Sequence, residues 1–511
     1  MTPKNTPPPR RSQRLLGLAD RQFDLLVVGG GITGAGIARD AVRRGLSVAL
    51  VDAGDFGCGT SSRSSRLIHG GVRYLEHGYL HLVFEASRER RRLLTLAPHL
   101  VRPLQFTWPV YKGARVPRWK LAAGLLLYDW LAMFRNVGRH RRLNAEQVLK
   151  SEPWLAKDGL HGGASYWDAG TDDARLTLAN VLDAAAHGAT VMNHAPVKAL
   201  TFGGPKGAVS GAVIHDTLGG HDIPVQARLV INAAGPWTDE IARLEDPNIG
   251  PAVRGTKGVH IAVPSARVGN NGAVTMLSPD DGRVMFTLPA SGGHTIIGTT
   301  DTRTTEHPND VRASRADVVY LLNACNRFFP ESALTEADVV AAWAGIRPLV
   351  AGGRNVGDPA NASREHAIRL SAHGVLTITG GKLTTYRAMA EEIVNTAVRI
   401  LGATTKPCDT TTAKLPGERP PIASSDEPLV PGLQWRDRDV LQAVESEFAE
   451  TVADVMIHRT TMAFELRDQG RAIAPKVAAT MAKRLGWTPA GEKQAVADYE
   501  REVVRIFSIN P

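Results

Sequence analysis

The stretch at residues 24–38, DLLVVGGGITGAGIA, constrains the fold more than any other part of this 511-residue chain. Four apolar residues, Leu25–Val28, run straight into Gly29-x-Gly31-x-x-Gly34, with Gly36 and Ala38 following. The first glycine permits a tight turn, and the second lets backbone amides approach a pyrophosphate. The third lets the next helix pack closely on the strand. That helix, ITGAGIARDAVRRG, points its partial positive charge at the phosphates and ends at Gly45. A second strand, LSVALV, finishes at Asp52, 23 residues beyond Gly29, where a ribose-binding carboxylate is expected. Strand, glycines, helix, strand and acid in this order read as a dinucleotide-binding unit. A glycine-rich turn from some other α/β unit leaves the terminal acid unexplained.

The length points to two or three domains, and 43% hydrophobic with 22% charged residues is ordinary for a globular protein. A net charge of +9 favours anionic ligands or anionic membrane surfaces. Nucleic acid is not an expected partner, because aromatics are sparse and no RNP, helix-turn-helix or finger pattern occurs. The three cysteines, Cys58, Cys325 and Cys408, are far apart and form no CxxC, so no metal site is expected and a reducing cytoplasmic setting fits. Residues 1–22, rich in Pro and Arg, read as a disordered tail. No segment reaches the roughly 18–20 apolar residues of a membrane span. The nearest, LAAGLLLYDWLAMF (121–134), has Arg115, Arg118 and Lys120 before it and Arg135, Arg139, Arg141 and Arg142 after it. It reads either as a buried core helix or as an interfacial helix with a basic rim.

Asp52 alone does not separate NAD from FAD, since either ribose accepts its hydrogen bond. The stretch DFGCGTSSRSSRLIHGGVRYLEHG follows at once, and its hydroxyls and glycines at 57–71 suit an extended cofactor. Much later, VLTITGGKLTTYRAMAEEIV (375–394) repeats the strand, glycine pair and helix start. One cofactor touched from both ends of the chain suits FAD.

Six further segments, with TSSRSSRLIHGGVRYLE first, carry a resemblance: DDARLTLAN, NAAGPWTD, IIGTTDT, AGIRPLV and GGKLTTYR among them. Together these resemble the FAD-dependent glycerol-3-phosphate dehydrogenases, from about residue 23 to beyond 400 and in the right order. NAAGPW is shared with the wider D-amino-acid-oxidase-like flavoproteins, whereas SSRLIHGGVRYLE with GGKLTTYR is specific to this branch. The resemblance implies oxidation of sn-glycerol 3-phosphate to dihydroxyacetone phosphate. Electrons then pass from FAD to a quinone, in a protein peripheral to the inner face of the cell membrane, with a homodimer allowed. It implies cofactor contacts at Gly29, Gly31, Gly34, Asp52, Thr60, Ser61, Ser62, Ser65, His69, Gly70, Gly71, Gly235, Gly381, Lys382, Leu383 and Thr384. One departure is that the ribose acid, often Glu in the family, is Asp52 here, which shortens the reach by a methylene.

A phosphate dianion calls for cations, preferably forked guanidinium groups. The candidates are Arg73 with Tyr74, Arg347, Arg364 and Lys382. The resemblance places Arg73 and Arg364 near the phosphate, and Arg347 and Lys382 near the hydroxyls and the flavin. Alcohol oxidation also needs a base for the hydroxyl proton, and His69 and His260 are the two candidates.

The expected architecture is α/β: a discontinuous Rossmann-like FAD-binding domain (23–90, 165–240 and 365–405) capped by a mostly antiparallel β-sheet substrate domain (91–164 and 241–364). A linker (415–432) leads to a helical C-terminal domain (433–511). The alternatives are a glycerol-3-phosphate oxidase using oxygen and a non-catalytic or tRNA-modifying flavin-binding protein. The anaerobic dehydrogenase subunit would bring a cysteine-rich module that is not seen here.

Overall fold

Strand β1 (Gln22–Val28) lies between β2 (Val48–Val51) and the strand His221–Asn232, pairing parallel with both. The computed structural model describes residues 10–133, 137–351, 365–419 and 427–511, without the side chains of Arg73, Glu76 and His77. Around β1 an eight-stranded sheet forms, continuing through Thr190–Met192 on one side and Leu376–Gly380 on the other. Val48–Val51 and most of β1, at its parallel centre, are buried on both faces, as parallel strands covered by helices require. Helix α2 (Ile32–Arg43) and the helix Tyr386–Leu401 cover one face, and Gly36 makes their contact possible. A Cβ there would stand 2.9 Å from the Tyr386 ring.

A second, ten-stranded sheet is antiparallel except where Ala273–Leu277 runs parallel to Val101–Tyr111. Its central strand for the site, Val253–Pro264, pairs antiparallel with Ala341–Val350 and His294–Gly298. The α/β class, the mostly antiparallel second sheet and the helical C-terminal region agree with the sequence reading.

Three expectations change. The tail expected to be disordered contains α1 (Arg11–Ala19), whose Leu18 is fully buried. Arg11 bonds Asp216 at 2.5 Å and Arg14 bonds Glu450 at 2.5 Å, so α1 ties the first sheet to the C-terminal region. The C-terminal helices share a core with the second sheet: Phe464 sits edge-on to Trp343 at 5.1 Å and to Phe507 at 5.0 Å. The C-terminal domain expected to be helical over 433–511 is interrupted near its start, between Asp437–Ser446, Asp454–Arg459 and Met462–Glu465. Phe448 adopts φ +61° at the first break, and Thr451 and Asp454 bond each other across the restart.

Segment 121–134 is buried on one face and exposed on the other. Within helix α4 (Arg118–Leu131), Leu121, Leu125 and Tyr128 face inward. Trp119 and Trp130, 73% and 61% exposed, face solvent with Leu126. Phe134 and Arg135 lie outside the described residues.

Candidate active site

The glycine loop behaves as its spacing demands. Gly29 has φ +104°, and a Cβ there would lie 2.6 Å from the Ala233 carbonyl. At Gly34 a Cβ would lie 1.8 Å from the Gly29 carbonyl, so both positions exclude a side chain. Gly31 is different: it caps α2, and the protein atom nearest to its absent Cβ is Ser61 Oγ at 3.2 Å. A side chain at Gly31 would crowd Ser61 just where a diphosphate would meet the helix N-terminus. Ser61 Oγ accepts from the Ile32 amide at 2.9 Å, joining the 57–71 loop to this cradle.

Asp52 follows β2. Its Oδ2 accepts from the Gly30 amide at 2.6 Å and its Oδ1 from Gly54 at 2.9 Å. Burial lifts its carboxyl to about 6 despite these two bonds. These residues fit an adenosine diphosphate moiety at the site expected for it.

Not every hydroxyl of the loop points to the cradle. Thr60 donates to the Ile346 carbonyl at 2.6 Å, tying the loop to the second sheet, and Ser62 turns back to Gly59. Gly235, at φ +56°, begins the turn after His221–Asn232. Gly381, at φ +89°, packs so closely on Met389 that a Cβ would lie 2.2 Å from its methyl.

The two ends of the chain meet as expected. Thr384 Oγ1 accepts from the His69 amide at 3.1 Å and donates to the His69 carbonyl at 3.2 Å. The Gly70 amide donates to Asp168 Oδ1 at 3.0 Å, and Gly71, at φ +77°, lies against the Tyr74 ring. Over that ring sits Lys382 Nζ, 4.0 Å from its centre. Lys382 itself precedes the turn Leu383–Thr385.

The third group lies on the second sheet. His260 faces Trp343 across the strand pair, with the rings stacked at 5.7 Å. Its Nε2 is 2.9 Å from Ser65 Oγ, and its Nδ1 is buried. Burial, then the charges of Arg347 and Arg66, push its pKa down to about 3. Arg347 projects over Gly258, where a Cβ would come within 2.4 Å of Nη2. It donates to Asp301 at 3.1 Å and to Thr299 at 3.0 Å.

Sequence reasoning missed Thr299 and Asp301 as the anchors of Arg347, although the quoted IIGTTDT segment contains both. It also missed Asp168, which receives Tyr128 at 2.7 Å and Arg90 beneath the Gly70 loop. Arg364 and the Arg73 side chain lie outside the described residues.

Comparison with known proteins bears directly on this arrangement. Residues 24–387 match the model of the FAD dependent oxidoreductase family, and 386–492 match the C-terminal domain of alpha-glycerophosphate oxidase. The aerobic glycerol-3-phosphate dehydrogenase of Staphylococcus saprophyticus is 40% identical over 76% of this chain and 69% of its own. Glycerol-3-phosphate dehydrogenase 2 of Mycobacterium tuberculosis is 36% identical over 97% and 90%. Among solved structures, the FAD complex of the Bacillus halodurans glycerol-3-phosphate dehydrogenase superposes with a TM-score of 0.78 at 29% identity. It covers 97% of each chain. This chain belongs to the FAD-dependent oxidoreductase family and, within it, to the glycerol-3-phosphate dehydrogenases.

Proposed function

We propose that the protein oxidises sn-glycerol 3-phosphate to dihydroxyacetone phosphate and passes the electrons to a membrane quinone. The observation that carries this reading is the convergence of an FAD cradle with two placed cations, Arg347 held by Asp301 and Lys382 held over Tyr74. When bound, FAD supplies the two-electron acceptor for the hydride leaving C2. The chain supplies the rest. Arg347 and Lys382 orient the hydroxyl end of the substrate, while Arg73 and Arg364 hold its phosphate.

The hydroxyl proton goes to His69 in this account. His260 has a pKa near 3, is stacked on Trp343 and is bonded to Ser65, so it is a weak proton acceptor that orients rather than abstracts. His69 is only half-buried and has both backbone groups pinned by Thr384, which leaves its ring on a fixed support.

The quinone assignment draws on the surface beside the substrate loop. Trp119, Leu126, Trp130 and Met133 lie exposed with Leu80 and Phe84 of α3 (Leu80–Leu96). A hollow of about 570 Å³ opens between Leu80, Phe84, Trp130 and Met133. One layer of packing, Tyr74, Val83, Tyr128 and Leu131, separates this surface from Lys382. Arg115, Arg118, Lys120, Arg139, Arg141 and Arg142 are near it in sequence, as a contact with anionic lipid favours. No helix among the described residues is long and apolar enough to cross a membrane, so the proposed contact is peripheral, at the inner face.

The match to an oxidase C-terminal domain makes oxygen the competing acceptor. Turnover in air with a short-chain quinone decides between them. Quinone reduction without hydrogen peroxide is expected; stoichiometric peroxide with quinone left oxidised contradicts the assignment.

A further inference from the structure

The loop after β2 has two sides, and each is held by a different part of the chain. Its inner side grips the glycine turn. Asp52 accepts from the Gly30 amide at 2.6 Å, and the Gly57 amide donates to the Gly30 carbonyl at 3.1 Å. The Phe56 ring fills the space beside Gly30, where a Cβ would come within 2.6 Å of it. Gly30 is thus fixed by three residues of one loop, Asp52, Phe56 and Gly57.

The outer side is held by residues 448–459. Arg459 donates to both oxygens of Asp55, at 2.5 and 2.9 Å, and His458 Nδ1 lies 2.9 Å from Oδ2. Phe448 meets Phe56 edge-on at 6.1 Å. Asn193 donates to Asp55 at 3.0 Å and to the Phe448 carbonyl at 2.9 Å. Gly54 is reached through His194, whose amide donates to the Gly54 carbonyl at 2.7 Å and whose Nε2 lies 2.9 Å from Asp454. Three consecutive loop residues, Gly54, Asp55 and Phe56, are therefore tied to the C-terminal region. Arg459 is itself braced: its Nε donates to the Glu447 carbonyl at 2.8 Å, and the Glu447 carboxylate receives Arg175 at 2.5 and 2.8 Å.

We propose that residues 448–459 hold the adenosine end of the cofactor site in register: Arg459 and His458, acting through Asp55, position the Asp52–Gly30 contact that meets the FAD ribose and diphosphate. Asp55 is a positioning residue in this account, since its side chain turns away from the cradle to the C-terminal region. Packing for stability alone explains the arrangement less well. Asp55 and Arg459 are 2% and 1% exposed, and an ion pair buried this deeply gains little over apolar residues of the same size. A bidentate guanidinium does fix the position of its carboxylate closely. Although burial raises it, the Arg459 charge keeps the Asp55 carboxyl well below its usual range, so the pair stays ionised. The inference rests on FAD lying at Gly31 and Asp52, and is independent of the substrate and of the electron acceptor.

The test is the rate at which diluted holoenzyme releases FAD, followed by flavin fluorescence, alongside the thermal midpoint of each variant. Asp55→Asn should release FAD about tenfold faster than wild type. Leu321→Ala opens a cavity in a core of the second sheet that contains neither Phe56 nor Phe448. It should lower the midpoint and still release FAD at the wild-type rate. In an Asp52→Asn background, adding Asp55→Asn should speed release by less than about threefold, because the two residues act in series. Phe448→Leu leaves the ion pair in place and should release FAD about threefold faster. This arm stands even if Asp55→Asn fails to fold. Wild-type release from Asp55→Asn or from Phe448→Leu overturns the proposal. Equal acceleration by Leu321→Ala overturns it too, as does an Asp55→Asn effect that persists in full beside Asp52→Asn.

Discussion

His260 Nε2 lies 2.9 Å from Ser65 Oγ, joining two residues 195 positions apart at the junction of the two sheets. The pair separates the two histidines that the chemistry has to choose between. With a pKa near 3, His260 is neutral at working pH and gives no titration between pH 5 and 8. His69→Ala should therefore slow flavin reduction by about 10²–10⁴-fold while keeping FAD, the usual loss for a general base. His260→Gln and Ser65→Ala should raise KM more than they lower kcat. Stopped-flow reduction of each variant checks this, and a slow step confined to His260→Gln would reverse the roles.

Asp52 predicts a pH-dependent cofactor affinity. Its carboxyl, lifted by burial to about 6 from 3.8, is ionised only above that value. Because the folded value is the higher one, the flavin-free protein loses stability as pH rises between the two. Ribose hydroxyls donate to the ionised form, so FAD should bind more tightly as pH rises through 6. Fluorescence titration from pH 5 to 8 measures it, and Asp52→Asn should flatten the profile.

Arg387 and Glu89 form a buried pair linking α3 to the helix Tyr386–Leu401. Nε donates at 2.6 Å and Nη2 at 3.0 Å, and both side chains are almost completely enclosed. Arg387 keeps Glu391 at 2.8 Å, so Glu89→Ala removes one of its two carboxylates and should lose about 1.5–3 kcal/mol. Replacing both residues with Met should cost less than this single change. Guanidinium unfolding midpoints of the holoenzyme compare them.

Trp119 and Trp130 set the proposed membrane contact. Changing both to Ser should weaken sedimentation with anionic vesicles by about tenfold for each side chain withdrawn from the interface. Flavin reduction by glycerol 3-phosphate should stay at the wild-type rate. Unchanged vesicle binding would move the contact elsewhere.

The cofactor half of the site was legible because its signals are local. Gly29, Gly31, Gly34 and Asp52 lie in one strand–helix–strand unit. The partners of Arg347 and His260 were not, because Asp301 and Ser65 reach them only once the second sheet has formed. Composition misled at the tail. Arg11 and Arg14 read as disorder until Asp216 and Glu450, contributed by distant segments, pair with them. The C-terminal helices were visible by periodicity. Their shared core with Trp343 was not, since apolar spacing does not say which face a helix will meet.

The central claim is that this chain oxidises glycerol 3-phosphate at its flavin, and anaerobic titration of the purified holoenzyme tests it most directly. The account predicts full bleaching of the flavin absorbance by one equivalent of glycerol 3-phosphate, with dihydroxyacetone phosphate as product. Unphosphorylated glycerol should react at least tenfold less efficiently, because each lost charged hydrogen bond costs about 1.5–3 kcal/mol. A flavin that stays oxidised with glycerol 3-phosphate, or that glycerol reduces equally well, would contradict it.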